Sequence, residues 1–191
     1  VSVESYLYVR TGVSITRVDV SSASDSLLPY SADLVSLYDG REVTLSTSSN
    51  RAVVSYQEGE TASIITYLPL GDYEFVPAPW GLVSLHDKNR NRLILLDLSN
   101  REQPILLNEE ASLWMWHPSG DTLLFSSGYD LKRYVRSIHE SQTLTRLSTL
   151  IEQLDWFPEG NAPIYRTQGV TVALNLDNGT ILSQTTLTSG L

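Results

Sequence analysis

An all-β repeat fold is predicted for this chain by three observations. A Trp-x-Pro-x-Gly turn recurs at a spacing of 40, apolar and polar residues alternate in short segments, and no convincing helical period appears. The turn reads Trp116-His117-Pro118-Ser119-Gly120 and again Trp156-Phe157-Pro158-Glu159-Gly160. Pro and Gly bring the backbone angles of a tight turn, and Trp brings a large apolar surface for anchoring between neighbouring sheets. Trp116, Pro118, Gly120, Trp156, Pro158 and Gly160 are therefore taken as the structural anchors of the repeat. Each copy is preceded by an apolar-rich stretch (113–116; 151–156) and followed by another, Leu123-Leu124-Phe125 or Pro163-Ile164-Tyr165.

A hairpin follows each turn. Residues 122–126 lead through Gly128 into 131–138, and 163–166 lead through Gly169 into 170–176. The same template places hairpins at 6–20, turning at Thr11-Gly12, at 52–68, turning at Glu58-Gly59, and at 82–98, turning around 87–91. In Val170-Thr171-Val172-Ala173-Leu174-Asn175-Leu176 every even position is apolar, which is the period of a strand. Hairpins thus start near 5, 52, 82, 122 and 162, with later intervals of 40 and first intervals of about 47 and 30. A period of about 40 with four short strands is the size of one propeller blade. The expected architecture is a β-propeller of about five small blades, incomplete or irregular in its first third. It is expected as a single domain over 1–191, with irregular blades at 1–75 and regular 40-residue repeats at 76–188. The interval of 30 is too short for a full blade, and the Ser- and Asp-rich stretch 21–36 is expected to be an insertion or long loop. Residues 144–154 admit a helical reading, but Thr145, Thr149 and the repeat register favour strands.

Composition narrows the function classes. The net charge is −9 and no run of Lys/Arg exists to meet phosphates, which argues against a nucleic-acid partner. There are no cysteines, so disulfides, thiolate metal sites and a cysteine nucleophile are excluded. No apolar run approaches the ~20 residues that span a bilayer as a helix. The sequence begins at Val1 with no basic or apolar leader, so a leader or membrane anchor is expected to lie outside it.

The segments Trp114-Met115-Trp116-His117-Pro118-Ser119-Gly120-Asp121-Thr122-Leu123-Leu124-Phe125 and Leu154-Asp155-Trp156-Phe157-Pro158-Glu159-Gly160-Asn161 resemble the Trp-Ser-Pro-Asp-Gly turn of TolB-like and Trp-Asp-like β-propellers. Residues 75–188 are also similar to propeller regions of bacterial envelope proteins that carry a membrane anchor and a PEGA module. The resemblance covers about 110 residues, and it departs at Ser119 and Glu159, where the family has Asp before Gly. It implies a non-catalytic binding or scaffold module outside the cytoplasm, in the periplasm or on the cell surface. A protein or glycan partner and an oligomer are both compatible with it, and no cofactor is implied. Two rivals stand beside it: a structural subunit of a larger assembly, and a propeller glycoside hydrolase with acids around its channel. For the latter, Asp155 lies in a predicted innermost strand, with Glu74 and Asp39 near equivalent positions. Two such carboxylates about 5–10 Å apart would serve as acid and base.

No catalytic, cofactor-binding or metal residue is assigned. His117 sits inside the repeated turn, and His86 and His139 near strand ends, none beside a second ligand at metal spacing. Asp87-Lys88-Asn89-Arg90-Asn91 begins like a calcium loop, but Arg92 replaces the turning Gly and Leu98 the closing Glu. A polar hairpin tip is the better reading. Asn178-Gly179-Thr180 matches a glycosylation sequon and also the preferred two-residue hairpin turn. Ser126-Ser127-Gly128 has no nucleophile-elbow motif around it. The binding candidates are Trp80, Tyr129, Asp155 and Glu74. Tyr73, Trp80 and Tyr129 could line a recognition surface, with packing between blades as the competing role of Trp80.

Overall fold

The computed structural model describes residues 6–11, 14–19, 25–28, 34–36, 42–58, 61–79, 81–157, 162–177 and 180–189, with side chains from residue 42 onward except Glu58, Thr180, Thr188 and Ser189. The described residues form antiparallel sheets of consecutive strands. The first is β1 (Tyr6–Thr11), β2 (Ser14–Asp19) and β3 (Asp25–Leu28). The second is β4 (Leu34–Ser36), β5 (Glu42–Ser48), β6 (Arg51–Glu58) and β7 (Thr61–Pro69). The third is β8 (Tyr73–Val76), β9 (Leu82–Asp87), β10 (Arg92–Asp97) and β11 (Ile105–Glu110). The fourth is β12 (Leu113–Trp116), β13 (Thr122–Ser126), β14 (Asp130–Val135) and β15 (Glu140–Arg146). The fifth is β16 (Gln153–Trp156), β17 (Pro163–Thr167), β18 (Val170–Asp177) and β19 (Thr180–Ser189). The chain divides into two compact units, Val1–Phe75 and Val76–Leu191, with the division inside β8.

The observed pairing corrects two expectations about the first third. Stretch 21–36 contains β3, paired with β2, and β4, paired with β5. Its composition pointed to a loop, but a neighbouring ladder takes up the backbone N–H and C=O groups of any non-proline sequence, whatever its side chains. The 30-residue interval also disappears. The hairpin near 52 is β6–β7, the last two strands of its sheet, whereas those near 82, 122 and 162 are the middle strands of theirs. In strand register, the first strands of four successive sheets end at Ser36, Val76, Trp116 and Trp156, each 40 residues after the last. The regular repeat therefore reaches back to β4, ahead of the expected boundary at 75.

In Val76–Leu191 the sheets pack through two clusters. One joins Leu93 and Leu95 of β10 and Leu107 of β11 to Leu123 and Phe125 of β13 and Tyr134 of β14, with Trp114 and Trp116 packed against it. The other joins Leu124 and Leu131 to Leu154, Tyr165, Val172 and Leu174, with Trp156 packed against it. Trp116 and Trp156 thus occupy matching places in successive sheet interfaces. The strand period of two explains the division: Leu123 and Phe125 face one neighbour, and Leu124 between them faces the other. Fully burying one such side chain contributes about 1.5–3 kcal/mol. On β18, Val172 and Leu174 join the second cluster while the odd positions Thr171, Ala173 and Asn175 take the opposite face, which is small and polar.

A charged staple crosses the first of these interfaces. Lys132 Nζ on β14 donates to Glu109 Oε2 on β11 at 2.7 Å, and Ser141 Oγ on β15 donates to the other carboxylate oxygen. Burial alone pushes the Glu109 carboxyl up. The hydrogen bonds of Lys132 and Ser141, with the charges of Lys132 and Arg92, outweigh burial and leave it below its ordinary value. A carboxylate held low in the folded state contributes stability above its unfolded pKa, and that contribution disappears as pH falls through the folded value. Glu109→Gln is therefore expected to cost about 1 kcal/mol at pH 7, with a smaller difference from the parent at about pH 3. Urea titrations at the two pH values read this, and a pH-independent difference would remove Glu109 from the acid response.

Candidate binding surface

The sequence-derived candidates do not converge on one place. Glu74 lies half-buried in β8 and Asp155 exposed in β16, where Asp155 Oδ1 accepts from the Trp156 N–H at 2.8 Å. On the 40-residue register Glu74 matches Trp114 and Leu154, whereas Asp155 matches Met115 and Phe75. The two carboxylates are thus one residue out of phase, and successive residues of a strand face opposite ways. The expected near equivalence is thus an offset of one residue, and the two also belong to different compact units. Trp80, Asp39, Pro158, Gly160 and the Asn178-Gly179 pair lie outside the described residues.

The remaining polar motifs are engaged in holding turns. Asp87 is buried at the end of β9, where its Oδ1 accepts from the Asn89 and Arg90 N–H groups at 3.0 and 3.2 Å and its Oδ2 from Arg90 Nη1 at 2.7 Å. That carboxylate closes a hairpin tip. His86 Nε2 donates to Asn91 Oδ1 at 3.2 Å, and its ring lies 4.8 Å from that of Trp114. In the repeated turn, Ser119 N donates to His117 Nδ1 at 3.1 Å, and the His117 ring meets Trp156 edge-on at 4.7 Å. The turn closes through His117 N to Thr122 O at 2.7 Å, and its counterpart runs from Phe157 N to Ala162 O at 2.8 Å. Among the described residues, no group of three His, Asp or Glu side chains is placed to hold a metal ion.

Tyr129 stands apart from these. It lies at the β13–β14 tip, 51% exposed, and Leu150 of the β15–β16 connection, 53% exposed, lies beside the same tip. Leu150 approaches Gly128, the chain neighbour of Tyr129: a Cβ built on that glycine would come within 3.3 Å of Leu150 Cδ1. The connection is tied to the tip by Leu147 N to Tyr129 O at 2.9 Å and Ile151 N to Gly128 O at 2.7 Å. On its other side Thr167 Oγ1 donates to Leu150 O at 2.8 Å, and Glu152 N donates to Arg166 O at 2.8 Å. The Asp130–Arg146 and Glu152–Arg166 ion pairs flank this loop pair at 3.4 and 4.0 Å. The result is two exposed apolar side chains on a pinned double loop with a charged rim, an arrangement common at recognition surfaces. Leu150 escaped the sequence reading because the connector Leu147-Ser148-Thr149-Leu150-Ile151-Glu152 holds three apolar residues, and nothing in their order tells exposed Leu150 from buried Ile151.

Comparison with solved structures shows what such a meander of sheets resembles. A protein assigned as TolB from Agrobacterium tumefaciens superposes with a TM-score of 0.50 at 11% identity, covering 96% of this chain and 76% of that one. The fold is propeller-like. At that identity the likeness is one of fold alone, and the four-stranded sheets can be called blades. Hydrazine synthase of Kuenenia stuttgartiensis aligns with a TM-score of 0.45 at 10% identity over 81% of this chain, which spans about half (48%) of that one. No protein-family profile matches the sequence, and no curated protein matches it.

Proposed function

We propose that this chain is a non-catalytic binding or scaffold module that meets a protein or glycan partner through its blade-tip loops. The observation that carries the reading is the exposed pair Tyr129 and Leu150 on a connection tied from both sides. Pinned loops lose little entropy on binding, and tyrosine is among the residues that most often carry the binding energy of a contact surface. The TolB-like turn residues and the propeller-like fold support a setting in a bacterial envelope or on a cell surface, with a membrane anchor or PEGA module elsewhere in the protein. A ring of about five blades is part of this proposal.

The test is to select ligands for the folded chain from a displayed peptide library and a glycan array. Selected ligands are then measured against Tyr129→Ala/Leu150→Ser. Exposed substitutions of this kind change stability by only about 0.5 kcal/mol, so the variant is expected to stay folded. Binding is expected to weaken at least tenfold, about 1.4 kcal/mol. Unchanged affinity in the variant, or no ligand tighter than millimolar, would overturn the proposal. Turnover of an arrayed glycan that Asp155→Asn abolishes would overturn it in favour of a hydrolase.

A further inference from the structure

Among the described residues of the Val76–Leu191 unit, the buried side-chain polar atoms Ser84 Oγ, Trp116 Nε1 and Tyr134 Oη find no hydrogen-bond partner. Ser84 is 1% exposed and Tyr134 0%. Native interiors pair the large majority of such groups, with protein or with ordered water. All three sit on the facing surfaces of two blades. Ser84 on β9 pairs with Leu95, which belongs to the first cluster, and Trp116, Leu123 and Tyr134 form one cross-strand row on the facing blade.

The level of the two rows follows from a neighbouring contact. His86 on β9 meets Trp114 on β12 ring to ring. From there, Ser84 lies two residues along β9 and Trp116 two residues along β12, both toward the end of the blades where the 77–81 and 117–121 connections run. At that end a Cβ on Gly120 would touch Pro79, and one on Gly81 would touch Arg136, so the two blades are closely apposed there. We infer that Ser84 Oγ, Trp116 Nε1 and Tyr134 Oη converge on one internal polar pocket between the blades, and that this pocket binds a single water molecule.

The donor and acceptor inventory suits water. The indole N–H only donates, and each hydroxyl both donates and accepts. One water accepts from Trp116 and from one hydroxyl, and donates to the other. Burial pushes the Tyr134 phenol up, against the charge of Arg136 and with that of Asp97, so the phenol keeps its proton at neutral pH. The apolar walls of Leu95, Leu123 and Phe125, all fully buried, suit one small polar molecule at the pocket rather than a chain of them.

The wild-type protein labelled with 15N provides the direct test. A water-selective rotating-frame experiment is expected to give a cross-peak from a long-lived water to the Trp116 indole proton, identified by its loss in Trp116→Phe. The same peak should vanish in Ser84→Ala/Tyr134→Phe. Tyr134→Phe alone should lower the folding equilibrium constant at least threefold, because the water loses a partner. If instead these atoms are dry, removing the phenol oxygen relieves an unsatisfied group. A smaller fall or a gain in stability, or a wild-type spectrum without the cross-peak, overturns the inference. Should a variant fail to fold, the wild-type spectrum decides alone.

Discussion

Phe125→Ala is expected to destabilise the Val76–Leu191 unit by about 3–5 kcal/mol, the usual cost of emptying a buried aromatic site. Phe125 is fully buried on β13, between Trp114 on β12 and Lys132 on β14 in the cross-strand row. Its face of the blade packs against Leu93, Leu95 and Leu107 of the preceding one, and Lys132 Nζ stands 5.8 Å from its ring centroid. Packed neighbours on every side leave little room for the site to collapse, so the cavity term adds to the lost transfer energy. All four tryptophans (Trp80, Trp114, Trp116 and Trp156) fall within residues 76–191, so tryptophan fluorescence, excited where tyrosine does not absorb, follows the unfolding of this unit in urea. Leu182→Ala on β19 is the control: that side chain is 62% exposed, and its loss should change stability by no more than about 0.5 kcal/mol. Similar costs at the two positions would contradict the packing of β13 between two blades.

Gly120→Ala is the second substitution with a large expected effect, about 2–3 kcal/mol, from two separable sources. The glycine closes the repeated turn at φ +76, where an L side chain is disfavoured by about 1–2 kcal/mol. An added Cβ would also lie 2.9 Å from Pro79 Cβ, on a ring that has no rotamer with which to move aside. Gly169→Ala isolates the first source. Gly169 has φ +75 in the β17–β18 turn and nothing within 4 Å of an added Cβ. Its substitution should show the conformational cost alone, about 1 kcal/mol. Equal losses at Gly120 and Gly169, read by the same fluorescence titration, would mean that Pro79 does not press on the turn.

Local features of this chain are readable as sequence because their causes are local. Gly128 and Gly169 mark hairpin tips through positive φ, and the hairpins at 122–135 and 163–177 appear where the turn residues put them. The alternation in β18 marks a blade with one apolar and one polar face, whereas Leu93-Ile94-Leu95-Leu96 in β10 marks a strand buried on both faces. The grouping of hairpins into blades was less legible. Hairpin β6–β7 resembles the middle hairpins of later blades in its residues, and only the pairing of β4 and β5 shows it to be the outer one. Phase also separates Glu74 from Asp155: they are near in the repeat but one residue apart, and a shift of one residue turns a strand side chain to the other face.

The sequence by itself determined the all-β class, the 40-residue period and the Trp-x-Pro-x-Gly turn, because each rests on backbone angles or a strand period that neighbours in the chain dictate. Only the tertiary structure decided which residues meet across blades. The Lys132–Glu109 staple spans 23 residues of sequence, and Tyr129 and Leu150 flank one glycine from two separate connections. Ser84 is buried although serine is usually exposed, and Leu150 is exposed although leucine is usually buried. Burial depends on what stands opposite a side chain in space, and no periodicity within a single strand carries that information.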